Sequence, residues 1–186
     1  QRLAGDRVAP LLALAGVAQG LLVGALAERD APSRGHKQPM NAITRIEARS
    51  ADLGEGMLVR RFLPSRQQRM VGAWCFLDHA GPVDFAPGKG MHVGAHPHIG
   101  LQTFTWLIAG EVLHRDSLGN AQVIRPGQVN LMTAGRGIIH SEMPQQESGR
   151  MRGFQLWVNL PAREKMTAPK YQEFAPDRIP VAKPAA

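Results

Sequence analysis

The chain has 186 residues, 22 Lys and Arg against 15 Asp and Glu, a net charge of +7 and one cysteine. That length buries an ordinary core without staples, and the lone Cys75 excludes a disulfide framework or a cysteine-rich zinc ribbon. The basic residues are scattered and aromatic residues do not interleave with them, so direct nucleic-acid binding is not expected.

Residues 1–39 read as an apolar segment plus linker. Val8 to Ala27 carries no charge, Arg2 and Arg7 precede it, and Ala25-Leu26-Ala27 closes it. A basic start, apolar middle and small-x-small end resemble a secretory signal. The span also makes a weak transmembrane candidate, interrupted by Pro10, Gln19 and three glycines. A loosely attached helix, or upstream sequence foreign to the domain, are the competing readings. Asp30 to Pro39 reads as the linker, and Met40-Asn41-Ala42-Ile43 like an ordinary N-terminus. Without the apolar segment the expectation is a cytoplasmic protein with no membrane contact; with it, export is open.

Residues 40–165 change to short β runs. The predicted strands are Thr44–Ala48, Met57–Phe62, Ala73–Asp78, Met91–His98, Gln102–Ala109, Glu111–Arg115, Ala121–Ile124, Gln128–Thr133, Ile138–His140 and Gly153–Leu160. Turn signals separate them, among them Ala80-Gly81-Pro82, Arg125-Pro126-Gly127 and Ala134-Gly135-Arg136-Gly137. Many short strands at this spacing predict an all-β sandwich or barrel. Within Gln102–Ile108, Phe104, Trp106 and Ile108 share one face, and Thr103, Thr105 and Leu107 the other. Cys75 sits in an apolar run and reads as core. Residues 166–186 are polar and Pro-rich and read as an exit or inter-domain tail.

Four of the seven histidines fall between Met91 and His114. His96 and His98 are separated only by Pro97, and strand residues two apart point to the same face. His140 and Glu142 repeat that spacing. Two such pairs on neighbouring strands can converge, offering three imidazole nitrogens and one carboxylate. That mixed set suits a divalent metal such as Fe, Ni, Cu, Mn or Zn, with one or two octahedral positions left open. Gly135 and Gly137 precede His140 and allow a tight turn into the barrel.

These residues resemble a known family. Gly90-x5-His96-x-His98 with Gly110 is similar to the first cupin motif, and Gly127, Gly135 and His140 to the second. The closer resemblance is to the N-terminal cupin domain of pirins. It rests on His96-Pro97-His98-Ile99-Gly100, on His114 to Asn120, on Thr133 to Pro144, and on Leu156 to Pro161. The resemblance spans about Ile43 to Pro180. It implies a single cupin barrel (a double-stranded β-helix, or jelly roll). It also implies metal ligands at His96, His98, His140 and Glu142, with Fe(II) the usual metal. Gln102 departs from the Glu of most pirins; that residue does not touch the metal, so a neighbouring hydrogen bond is expected to change. Length departs as well. Pirins resemble two cupin barrels in tandem, so the chain reads as a one-barrel relative or a truncated product, with a second barrel or another protein as a candidate partner.

The resemblance further implies a quercetin 2,3-dioxygenase-type oxygenase, taking a small flavonol or related phenolic and O2. Glu142 then serves as ligand and as general base. Phe76, Trp106 and Met132 are the expected pocket residues. The alternatives are a non-enzymatic, iron-dependent regulator that binds transcription factors, and a barrel whose metal is structural.

Overall fold

Glycine- and proline-marked turns cut the chain into short strands that alternate in burial. The computed structural model describes residues 44–53, 57–87, 89–145 and 149–181; the apolar segment and linker of residues 1–39 lie outside them. The strands are β1 (Arg49–Asp52), β2 (Leu58–Leu63), β3 (Trp74–Phe85), β4 (Val93–His98), β5 (Leu101–Ala109), β6 (Val112–Asp116), β7 (Ala121–Ile124), β8 (Val129–Thr133), β9 (Ile138–Pro144), β10 (Gly149–Asn159) and β11 (Lys170–Phe174). Two single-turn 3-10 segments, Ala162–Glu164 and Pro176–Arg178, flank β11.

The strands form two antiparallel sheets, as the all-β cupin jelly roll requires. One runs β1-β2-β3-β10-β5-β8-β11 and the other β4-β9-β6-β7. Residues Ala48–Ile179 make up this barrel. Outside it, Arg45 pairs with Glu47. A core cluster of Met57, Val59, Met91, Leu107, Val112, Ile124 and Met151 fills one region of the barrel interior, and Met132, Ala134 and Ile138 form a second. Apolar burial of this kind contributes roughly 25 cal/mol per Å² and holds the sheets face to face. Among the described residues no helix is long and apolar enough to cross a membrane.

The structure departs from the sequence-based expectations at several elements. Thr44–Ala48 is not a strand; pairing starts at Arg49, which lies opposite Arg61 of β2. The Ala80-Gly81-Pro82 turn signal lies inside β3. Gly81 and Pro82 fall between the Val83–Met151 and Ala80–Gly153 pairs and so form a bulge of β3 against β10, which bends the strand instead of ending it. Gly81 has φ of 72°, and a Cβ there would lie 2.2 Å from the Met151 carbonyl oxygen. β9 runs on to Pro144 because β6 pairs along it. Lys170–Phe174, expected within the exit tail, adds β11 to the edge of β8. Cys75 is half-buried, its Sγ facing the Trp157 carbonyl at 3.5 Å.

Candidate metal centre

β9 lies between β4 and β6, and this order assembles the site. His96 of β4 stands opposite His140 of β9, and Glu142 stands opposite Val93 on one side and His114 of β6 on the other. The two-residue period then turns His140 and Glu142 inward while the intervening Ser141 faces away. The approach to β9 depends on Gly135. Its φ is 53°, and a Cβ there would meet the Thr167 carbonyl oxygen at 2.1 Å. No other residue fits so close a passage of two backbones.

His96, His98 and His140 offer ligand atoms that all lie within 4.8 Å of one another. The Nε2 of His140 is 3.0 Å from that of His96 and 3.1 Å from that of His98. Nitrogens about 2.1 Å from a common ion stand about 3.0 Å apart at right angles and about 3.4 Å apart in a tetrahedron. Those two separations match the spacing of neighbouring ligands on one ion, and the whole set lies within 4.8 Å.

The proton positions fit as well. His96 Nδ1 lies 2.8 Å from the Gly94 carbonyl, which can only accept, so Nδ1 carries the proton and Nε2 the lone pair. His114 Nε2 donates to Asp116 Oδ2 at 3.0 Å, leaving its Nδ1 as an acceptor. That Nδ1 faces His140 Nδ1 across a long contact of 3.4 Å. His140 thus carries its proton on Nδ1 and turns the Nε2 lone pair to the centre. Burial, then the neighbouring imidazoles, drives His140 down to about 3 and His98 down to about 4. His98 and His140 are therefore neutral near pH 7. Converging lone pairs at this distance call for a cation among them, so the residues fit a divalent metal.

Glu142 is 8 % exposed, lines the same cavity, and has no hydrogen-bond partner among the described residues. Burial alone pushes its carboxyl up to about 7. The tight cluster comprises the three histidines without Glu142. A buried carboxyl with no partner beside the three imidazoles is the one negative group the set can offer a cation.

The structure adds residues whose role the sequence did not reveal. His114 stacks on Tyr171 at 4.4 Å, and the Tyr171 hydroxyl donates to Asn130 Oδ1. Asp116 accepts from the backbone of Leu118 and from both nitrogens of Asn120. Burial pushes Asp116 up, but the bonds from Asn120, His114 and Leu118 outweigh it and hold the carboxyl below its usual range. His114 and Asp116 also stand two residues apart, the same spacing that marked the other pairs. Gln102 donates to Thr133 Oγ1 at 2.8 Å, a bond that uses the amide hydrogen a carboxylate lacks.

A cavity of about 260 Å³ adjoins the histidines, near the lower edge of ligand-pocket size (on the order of 300–1,000 Å³). Phe76 lines it, as expected, together with Trp157, Met91, Leu107 and Met151. Trp106 and Met132 are not among its walls. Trp106 lies on the opposite face of β5 from Thr105 and Leu107 and stacks on Phe154, while Met132 belongs to the second core cluster.

The family profile described as Pirin matches residues 56–158. The chain is 58% identical over 143 residues to a Pseudomonas aeruginosa protein named "Putative quercetin 2,3-dioxygenase", covering 77% of this chain and 44% of that one. It is 38% identical over 142 residues to Arabidopsis thaliana Pirin-1, covering 76% and 47%. A solved structure of quercetin 2,3-dioxygenase from Acinetobacter baumannii superposes with a TM-score of 0.70 at 55% identity, over 74% of this chain and 45% of that one. The chain thus spans less than half the length of these relatives. Fold, histidine cluster and profile agree, and the chain belongs to the pirin family.

Proposed function

We propose that this barrel is the metal-binding half of a quercetin 2,3-dioxygenase-type oxygenase, with iron at His96, His98, His140 and Glu142. The observation that carries the reading is the convergence of three histidine ring nitrogens on the wall of a largely apolar cavity. A structural metal is usually enclosed by its protein ligands; here the ligands border a space large enough for a small planar molecule. The names of the Pseudomonas and Acinetobacter relatives support flavonol as the substrate class.

A divalent ion at this site would supply Lewis acidity, making a flavonol 3-hydroxyl easier to deprotonate. Glu142 is the base placed to take that proton on its carboxylate, since its affinity for a proton is tuned near neutrality. His114 and Asp116 hold the His140 ring with its lone pair toward the cavity. Phe76 and Trp157 bound the space with parallel rings 3.9 Å apart at centroid and exclude water from an electron-rich ring system. The deprotonated flavonol then reacts with dioxygen.

The test is oxygen uptake by the Fe(II)-loaded protein with quercetin. Uptake is expected, and His140→Ala is expected to abolish it. An absence of turnover with every divalent metal and phenolic tried would overturn the proposal.

A further inference from the structure

One wall of the cavity carries a row of polar side chains that the metal site does not use. Arg61 of β2 is in register with Asp78 of β3, Asp78 with Gln155 of β10, and Gln155 with Thr105 of β5. All four line the cavity from the seven-stranded sheet, while the histidines line it from the four-stranded one. Arg61 Nε and Nη2 donate to the two oxygens of Asp78 at 2.8 and 2.6 Å. Thr105 Oγ1 donates to Gln155 Oε1 at 2.8 Å. These bonds engage one lone pair on each oxygen of Asp78 and one on Gln155 Oε1. Of the five N–H donors on Arg61, three remain, and so do both hydrogens of the Gln155 amide. A row assembled in this way leaves five N–H donors unused, three on Arg61 and two on Gln155.

The row is tied to the histidines by stacked rings. His98 meets Trp157 edge-on at 5.0 Å, Trp157 lies parallel to Phe76 at 3.9 Å, and the Arg61 guanidinium sits 4.6 Å over Phe76. This continuous aromatic surface leads from the metal ligands to the donors. Asp78 and Phe76 hold the guanidinium in place, so its free N–H groups are oriented before anything binds.

We infer that Arg61 and Gln155 form a specificity subsite for an acceptor oxygen at the far end of a planar phenolic whose near end reaches the metal. The inference rests on the proposed flavonol chemistry and narrows it. The preferred substrate carries a hydroxyl, phenolate or carbonyl remote from its chelating oxygens. A site built to hydrogen-bond such a group discriminates strongly against analogues lacking it.

The test compares quercetin with 3-hydroxyflavone, which share the chelating oxygens and differ in ring hydroxyls. Binding is read by quenching of tryptophan fluorescence in the metal-loaded protein, and turnover by oxygen uptake. The wild type is expected to bind quercetin at least about 10-fold more tightly. In Arg61→Met the ratio of the two affinities falls toward one, and any loss in turnover of quercetin appears in KM more than in kcat. Because Arg61→Met strands a buried Asp78, the double variant Arg61→Met/Asp78→Asn and the single variant Gln155→Leu repeat the measurement without an orphaned charge. A wild type that binds both flavonols equally, or folded variants that keep the full preference, would overturn the subsite. Preference in binding without oxygen uptake would uphold the subsite while removing the dioxygenase reading.

Discussion

Replacing Asp116 by Asn tests whether a hydrogen-bond chain sets the protonation of a proposed metal ligand. Asp116 Oδ1 accepts from the Leu118 N–H at 2.9 Å, the Asn120 N–H at 3.2 Å and the Asn120 side-chain amide at 3.1 Å. In Asp116→Asn the two backbone N–H donors hold the carbonyl oxygen at that position, and the Asn120 amide, which in the wild type also reaches Oδ2 at 2.8 Å, turns to it. The new amide nitrogen then takes the place of Oδ2, which faces His114 Nε2 at 3.0 Å. An amide nitrogen donates, so His114 Nε2 becomes the acceptor and its proton moves to Nδ1. His114 Nδ1 in turn donates to His140 Nδ1, which pushes the His140 proton onto Nε2, the atom proposed to bind metal. Partners of this kind are worth about 10- to 100-fold in metal affinity, or roughly 1.4–2.7 kcal/mol. Competition with a chromogenic chelator for Fe(II) or Ni(II) measures the loss, and circular dichroism checks the fold. Nitrogen NMR of His140 supplies a signature a merely structural role would not produce: the proton sits on Nδ1 in the wild type and on Nε2 in the variant. A folded Asp116→Asn protein that binds metal within about twofold of the wild type, with the His140 proton unmoved, would refute the reasoning.

Metal should stabilise the barrel, because the three histidines converge only when it is folded. Fe(II) or Ni(II) at 100 times its Kd is expected to add about 2.7 kcal/mol, read as a rise in Tm, and His140→Ala should lose that rise. His79 is 1 % exposed, and burial followed by Arg60 and Arg152 lowers it to about 4. Its folded value lies below the unfolded one, so the unfolded chain binds the extra proton in between. Stability should therefore fall as pH drops from about 6.5 to about 4, by at most about 3 kcal/mol from this group. In His79→Gln, denaturant titrations across that window should give a flatter slope; an unchanged slope would discount His79 as the cause. Gly135→Ala combines a positive φ with a Cβ placed against the Thr167 carbonyl oxygen. It should cost about 1–3 kcal/mol, measurable by urea denaturation, and weaken metal binding by displacing the turn that leads into β9.

What was legible in the sequence follows from the local geometry of strands. A period of two places His96 with His98 and His140 with Glu142 whichever strands lie beside them. Turn chemistry located most of the strand breaks for a similar reason, since glycine and proline act on their own φ and ψ. Gly81-Pro82 misled because a turn pair in isolation does not show whether the strand continues through it as a bulge against a partner. β11 escaped notice because Lys170–Phe174 carries only two apolar aromatic residues, and its stability comes from the open edge of β8.

Sheet order and register belong to the tertiary structure. Only the placement of β9 between β4 and β6 makes His140 a neighbour of both His96 and His114. Arg61, Asp78, Gln155 and Thr105 come from four strands, and Arg61 and Gln155 are far apart in the chain. Nothing in any one strand marks them as a row. The sequence by itself determined the all-β class, the inward faces and the two histidine-bearing pairs, because side-chain direction on a strand is a local property. Tertiary structure decided which faces meet, which tautomer each imidazole holds and where the donors of the cavity wall lie. Those outcomes depend on contacts between residues distant in sequence, made only once the two sheets have packed.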